Sequence, residues 1–370
     1  MPIVPAVIAL GLKLLGDRLL AVTLFKTLLL LIPLELAVWI VCLNTPQARE
    51  NMIITGILLL IPFLNLIFLG DVIGLEYEEF YSYSLIALGS ALAFWNKSLA
   101  EKKADHLPLA GLVGACAAAV YLCKSSMLLT AAVLLIAGLQ YVTGYRARLL
   151  AVALALAAPA GWMLYQHHAG GRATLGTSID GFNLHMGNSP NFLRDYPPPP
   201  GGSLDLTASQ LHAGHIFPNE WSMNDFHQHA AVDFIRTHPA GTVAGLLRKV
   251  GVVMFSTRIV GRWSRHGLMN IVERAGSVVF RLLFWTSCLL SVFFLVTNDA
   301  GLRSTGAVFL LVVWAVTLPY LIGFAYTRHI SVLVYPTVLF CCLIAQRWPV
   351  LRKRLIFPSS RINTCLSCVS

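Results

Sequence analysis

Charge is what this chain has least of. Only 12% of its 370 residues are Asp, Glu, Lys or Arg, and 57% are hydrophobic. A soluble domain carries roughly 25% charged residues. Mean hydropathy is +0.71. This composition excludes an ordinary soluble domain and reads as an integral membrane protein. Acidic residues are the scarcest class, 17 against 27 basic ones, for a net charge of +10. In a soluble chain that balance would point to nucleic acid. Here it fits the positive-inside bias of a polytopic protein together with a phosphate-bearing ligand, and no nucleic-acid partner is expected. Cysteine is absent from the polar segment 166–272, so no disulfide framework is implied. Cys42, Cys116, Cys123, Cys288, Cys341 and Cys342 sit in apolar runs as small hydrophobes. Cys365 and Cys368 form one CxxC pair, which cannot complete a tetrahedral metal site alone. The N-terminus lacks a basic n-region and a small-residue cleavage site, so no cleavable signal peptide is read.

What the chain does have is long apolar runs. About 20 such residues cross a bilayer. Spans are predicted at 19–43, 51–69, 76–95, 107–123, 127–143, 147–165, 274–296, 305–324 and 330–346. The run 3–15 is too short and reads as an interfacial helix. The organisation is therefore a membrane region over 1–165, a polar region over 166–272, three spans within 273–346 and a basic tail over 347–370. The fold class is an all-α polytopic membrane protein of about nine spans. Loops 96–106 and 143–149 and the tail carry lysines and arginines, which puts them on the cytoplasmic side. The long polar region then lies outside, and so does the N-terminus.

Three short loops share that outer side. The first, FLGDVIGLEYEEFYSYSL at 68–85, holds Asp71, Glu76, Glu78 and Glu79. The second is Cys123-Lys124-Ser125-Ser126. The third is Ala325-Tyr326-Thr327-Arg328-His329. A lysine and an arginine suit phosphate oxygens, one as a point charge and one as a forked donor. A carboxylate beside them can act as a base. Each feature also has a structural explanation. Lys124 and Arg328 can snorkel to the interface. Glu78 and Glu79 can start a helix. Tyr77, Tyr81, Tyr83 and Trp95 match an interfacial aromatic belt.

In the polar region, GFNLHMGNSPN at 181–191 predicts a tight irregular turn. YPPPPGG at 196–202 predicts an extended surface segment. Helices are predicted over 222–237, ended by His238-Pro239, and over 243–255, which could lie along the membrane and carries Arg248 and Lys249. Nine of the 11 histidines are here, among them His185, His212, His215, His227 and His229. The pairs HAGH and HQH are short and HExxH is absent, so no metal site is assigned, although a divalent cation stays open.

The ordered set of motifs resembles the GT-C glycosyltransferases, polytopic enzymes related to protein O-mannosyltransferases and the lipid A aminoarabinose transferase. The lead-in PAVIALGLKLLG at 5–16 resembles the end of that family's first outer loop. Glu78-Glu79 resembles the acidic head of its fourth helix. Cys123–Ser126 resembles its lysine turn, and 181–191 its GxNLxxGNxP segment. Residues 233–239, DFIRTHP, resemble its FIRxHP helix end, and Arg328 with Tyr335-Pro336 its late RYxxP entry. The resemblance implies a GT-C-like bundle in a bacterial inner membrane. It also implies a polyprenyl-phosphate sugar donor, inverting transfer to a lipid, glycan or protein acceptor, and Lys124 and Arg328 on the donor phosphate. Glu78 and Glu79 would support them, with Asn183, His185 and Asn188 in a substrate loop. The family's catalytic aspartate lies earlier in the first outer loop, where this chain offers no match. The expectation is therefore an N-terminally shortened chain with little or no activity. A transporter or flippase of a lipid-linked or anionic substrate is the alternative. Mid-span ionisable residues are scarce for one, with Lys26, Glu35 and Arg281 the clear cases.

Overall fold

The computed structural model describes residues 3–16, 25, 32–40, 78–101, 106–140, 142–195, 214–255, 268–325 and 327–356. Regular structure among them is entirely helical, and the fold is that of a helical membrane protein. Three helices, Tyr145–Gly170, Ala275–Leu295 and Ala300–Ile322, are long and apolar enough to cross a membrane, and shorter apolar helices pack among them. The expected span 51–69, Asp71, Glu76, the segment 196–202, His212 and the CxxC tail lie outside the described residues.

Helix α1 (Ile3–Leu15) lays Ile3, Val7 and Ile8 against Cys123. Then α2 (Glu78–Glu101), α3 (His106–Cys123), α4 (Leu128–Leu139) and α5 (Tyr145–Gly170) run up and down in succession. The tightest pair is α3 with α5. A Cβ on Gly114 would stand 2.8 Å from the Ala151 Cα, so only glycine permits this approach. After the polar region come α10 (Leu268–Leu295), α11 (Ala300–Ile322) and α12 (Val334–Ile356). One continuous core joins α2, α3, α4, α10, α11 and α12, with Phe309 stacked on Phe340 at 4.5 Å. Helix α11 starts where Asp299 accepts from the Gly301 and Leu302 amides, the usual N-cap use of a short carboxylate.

The polar region is helical too. Helix α8 (Glu220–Thr237) opens on a capping box between Asn219 and Ser222 and closes at His238, because Pro239 cannot continue it. Pro239 instead starts α9 (Pro239–Phe255). The segment read as an irregular turn is helix α6 (Asp180–Gly187), a break at Asn188-Ser189, and α7 (Pro190–Asp195). Its glycines serve close approach rather than turning. Gly181 donates its amide to Asn224 Oδ1 at 2.8 Å, and a Cβ there would strike the Asn224 backbone. Gly187 meets the Gly323 carbonyl that follows α11.

Helix α9 docks one face on the bundle and leaves Val243, Leu246 and Leu247 exposed. Lys249 is 1% exposed and donates to the Leu321 and Ile322 carbonyls at 3.1 and 3.4 Å. Arg281 of α10 donates to the Val253 and Met254 carbonyls that end α9. Both cations satisfy carbonyls that a helix C-terminus leaves without internal partners. The mid-span arginine is thereby a helix cap.

Candidate functional site

Several helices end together at one end of the bundle. Cys123 closes α3, and Lys124 then adopts an extended backbone before the short 3-10 turn Ser125–Met127. That break sets Lys124 and two hydroxyls at the rim rather than along a helix face. The Lys124 ammonium stands 5.4 Å from the centroid of the Tyr320 ring. Tyr320 in turn stacks on His329 with centroids 3.9 Å apart. Both rings are buried. Tyr320 comes from the last turn of α11 and His329 from the 3-10 segment Thr327–Leu333, which also holds Arg328. Glu78 and Glu79 begin α2, which packs against the same 3-10 segment.

Residues 171–179 cross over this end. Tyr121 donates to the Leu175 carbonyl at 2.7 Å, and Trp162 donates to the Gly176 carbonyl at 3.0 Å. Beneath them lies a cleft of about 910 Å³. Its bundle wall carries Lys124, Ser125, Ser126, Tyr320 and His329. Its outer wall carries Asp180, Asn183 and Glu220. Asp180 Oδ2 accepts from the Thr177 amide and Oδ1 from the Thr177 hydroxyl, each at 2.8 Å, while Ser125 Oγ stands 3.5 Å away. Ser178 donates to Glu220 at 2.7 Å. The rim is apolar, with Leu128, Ile179 and Ile322 exposed beside it. A cation and hydroxyls thus face two carboxylates across a space that opens onto apolar surface. Such a site can hold an anionic head group, seat its lipid tail and accept a proton from a hydroxyl ligand.

The residues singled out in the sequence part company here. Lys124 and Asn183 line the cleft. Asn188 is buried at the far end of α6, where its amide donates to the Leu184 and Ile322 carbonyls at 2.9 and 2.8 Å and ties α6 to α11. His185 Nδ1 meets His227 Nδ1 at 2.9 Å inside the α6–α8 contact, one ring donating and the other accepting. Burial lowers the pKa of His185, which favours the neutral ring that contact needs. Among the described residues no three His, Cys, Asp or Glu side chains gather as metal ligands. Asp180, Glu220 and Tyr320 escaped the sequence reading. The hydroxyl pair Thr177-Ser178 ahead of Asp180 is the one local signal, since a polar turn there precedes the helix. Compared with family models, with curated proteins and with solved structures, the chain matches none.

Lys249 links the polar region to the cleft wall, because the carbonyls it caps belong to the turn that carries Tyr320. Burial pulls its pKa from 10.5 down to about 8. Between those two values the unfolded chain binds more protons than the folded one. Stability therefore rises with pH across that window and the Lys249 contribution is flat below it. The full rise is on the order of 3 kcal/mol. Thermal unfolding of wild type and Lys249→Met from about pH 7 to about pH 11, a range that spans the window, should show a rise in wild type that the variant lacks.

Proposed function

We propose that this chain carries the donor site of a glycosyltransferase. It binds a polyprenyl-phosphate-linked sugar at the outer face of a bacterial inner membrane for transfer to a lipid, glycan or protein acceptor, with little or no turnover expected where the family's first-loop aspartate has no match. The proposal carries a GT-C-like bundle of about nine spans, with 166–272 outside and the basic tail in the cytoplasm. The observation behind it is the cleft that sets Lys124 and His329 against Asp180 and Glu220 beside an apolar rim. Its chemistry fits direct displacement. The acceptor oxygen attacks the anomeric carbon as the carbon–oxygen bond to phosphate breaks. Polyprenyl phosphate leaves with the bonding pair, and the acceptor proton passes to a carboxylate. Lys124 and the hydroxyls of Ser125 and Ser126 meet the charge that develops on the departing phosphate. Arg328, from the same end of the bundle, is proposed as a second phosphate donor, and Glu78 and Glu79 as supporting carboxylates.

The test is binding by the full chain in lipid nanodiscs, followed by native mass spectrometry. Undecaprenyl phosphate should bind, and undecaprenol, which lacks the phosphate, should not. Equal retention of both, or of neither, refutes the reading. A transporter would need a polar path across the bundle, and the mid-span Arg281 is instead committed to the end of α9.

A further inference from the structure

A second, smaller cleft lies on the other side of the 176–181 strand of chain. It encloses about 380 Å³, within the size range of small-molecule sites, and shares Gly176, Thr177, Asp180 and Leu184 with the larger one. Its own walls are Arg172, Thr174, Trp221, Asn224 and Gln228. Trp221 is half-buried, held at its edge by Gly170, where a Cβ would come within 2.7 Å of the indole nitrogen. The Arg172 guanidinium sits over one face of the Trp221 ring, 5.3 Å from its centroid, and donates to both oxygens of Asp225, at 2.7 and 2.9 Å. That pairing neutralises the cleft's cation, and Asp180 adds negative charge. The cleft therefore disfavours an anion.

What remains is the indole face that the guanidinium does not cover, with amides, hydroxyls, a carboxylate and guanidinium N–H groups around it. This is the chemistry that recognises a neutral sugar. The C–H face of a pyranose packs on the indole, and its equatorial hydroxyls both donate and accept around the edge. We infer that the smaller cleft is a saccharide-binding site, and that it holds the sugar of the acceptor against the wall it shares with the donor cleft. The acceptor role rests on the proposed transfer reaction; the saccharide binding does not.

The experiment uses the full chain in sugar-free lipid nanodiscs and three neutral probes: mannotriose, maltotriose and chitotriose. Saturation-transfer NMR at about 10 mM reads the weak binding expected of a shallow polar cleft. At least one trisaccharide should give a signal. Trp221→Ala should weaken its binding about 10-fold, by loss of the stacking surface. Gln228→Ala, at an exposed position that tolerates change, should weaken it about 5-fold, by loss of one neutral hydrogen-bond partner. Thermal unfolding and undecaprenyl phosphate binding of Gln228→Ala should match wild type. Silence from all three probes overturns the inference, and so does a signal that survives both substitutions. Trisaccharide binding in a wild-type chain that ignores undecaprenyl phosphate supports the saccharide site and overturns the donor reading alone.

Discussion

Lys124→Ala lowers the affinity of the chain for undecaprenyl phosphate by about 10- to 100-fold. The magnitude follows from losing one hydrogen bond to a charged group, worth roughly 1.5–3 kcal/mol, at about 1.4 kcal/mol per tenfold. The ammonium stands at the cleft wall on an extended residue between two helices, so no neighbouring side chain on the same element can take its place. Lys124→Arg keeps the charge but brings a planar fork to a site built around a point charge, and should recover part of the affinity. The contact with the Tyr320 ring contributes only about 0.5–1 kcal/mol at a partly exposed site. Titration of undecaprenyl phosphate into nanodisc-held wild type and both variants measures this. Unchanged affinity in Lys124→Ala removes Lys124 from the donor site.

Gly187→Val destabilises the folded protein by about 3 kcal/mol or more. A Cβ at this position would overlap the Gly323 carbonyl oxygen and stand 2.6 Å from its carbon and 3.1 Å from the Phe324 Cα. The obstacle is backbone on both sides, so no rotamer change relieves it. Separating the two segments would also stretch the Asn188 bond to Ile322, which closes the same contact. Gly161→Ala is the matched control. Nothing lies within 4 Å of a Cβ there, and the position is exposed on helix α5, so alanine should stabilise by up to about 1 kcal/mol. Thermal unfolding in one detergent orders the three proteins as Gly161→Ala, wild type, Gly187→Val. A Gly187→Val chain as stable as wild type would show that α6 does not dock on α11.

Local features of the sequence were sound guides to element ends. The helix predicted over 222–237 ends at His238-Pro239 as expected and starts at Glu220, because proline sterics act within a residue or two. The segment 181–191 misled for a definite reason. Glycine, asparagine and Ser-Pro together usually mean a turn, but glycine also permits two backbones to touch. The partner backbones, at Asn224 and Gly323, are remote in sequence. The resemblance put Asn188 and His185 in a substrate loop. Their partners, Ile322 and His227, cannot be read from neighbouring positions.

By itself, the sequence determined that this is a helical membrane protein, where most of its apolar helices lie, and that Lys124 sits between two of them. Hydrophobic length and charge scarcity are properties of the chain, and a bilayer reads them segment by segment. Only the tertiary structure decided what Lys124 faces. Asp180, Glu220, Tyr320 and His329 line the same cleft from four separate segments, across separations that periodicity and spacing do not encode. Tertiary packing also turned Lys249 and Arg281 from surface or mid-span cations into caps for helix ends. A buried charge persists only where carbonyls are arranged to receive it, and that arrangement exists once the helices have assembled.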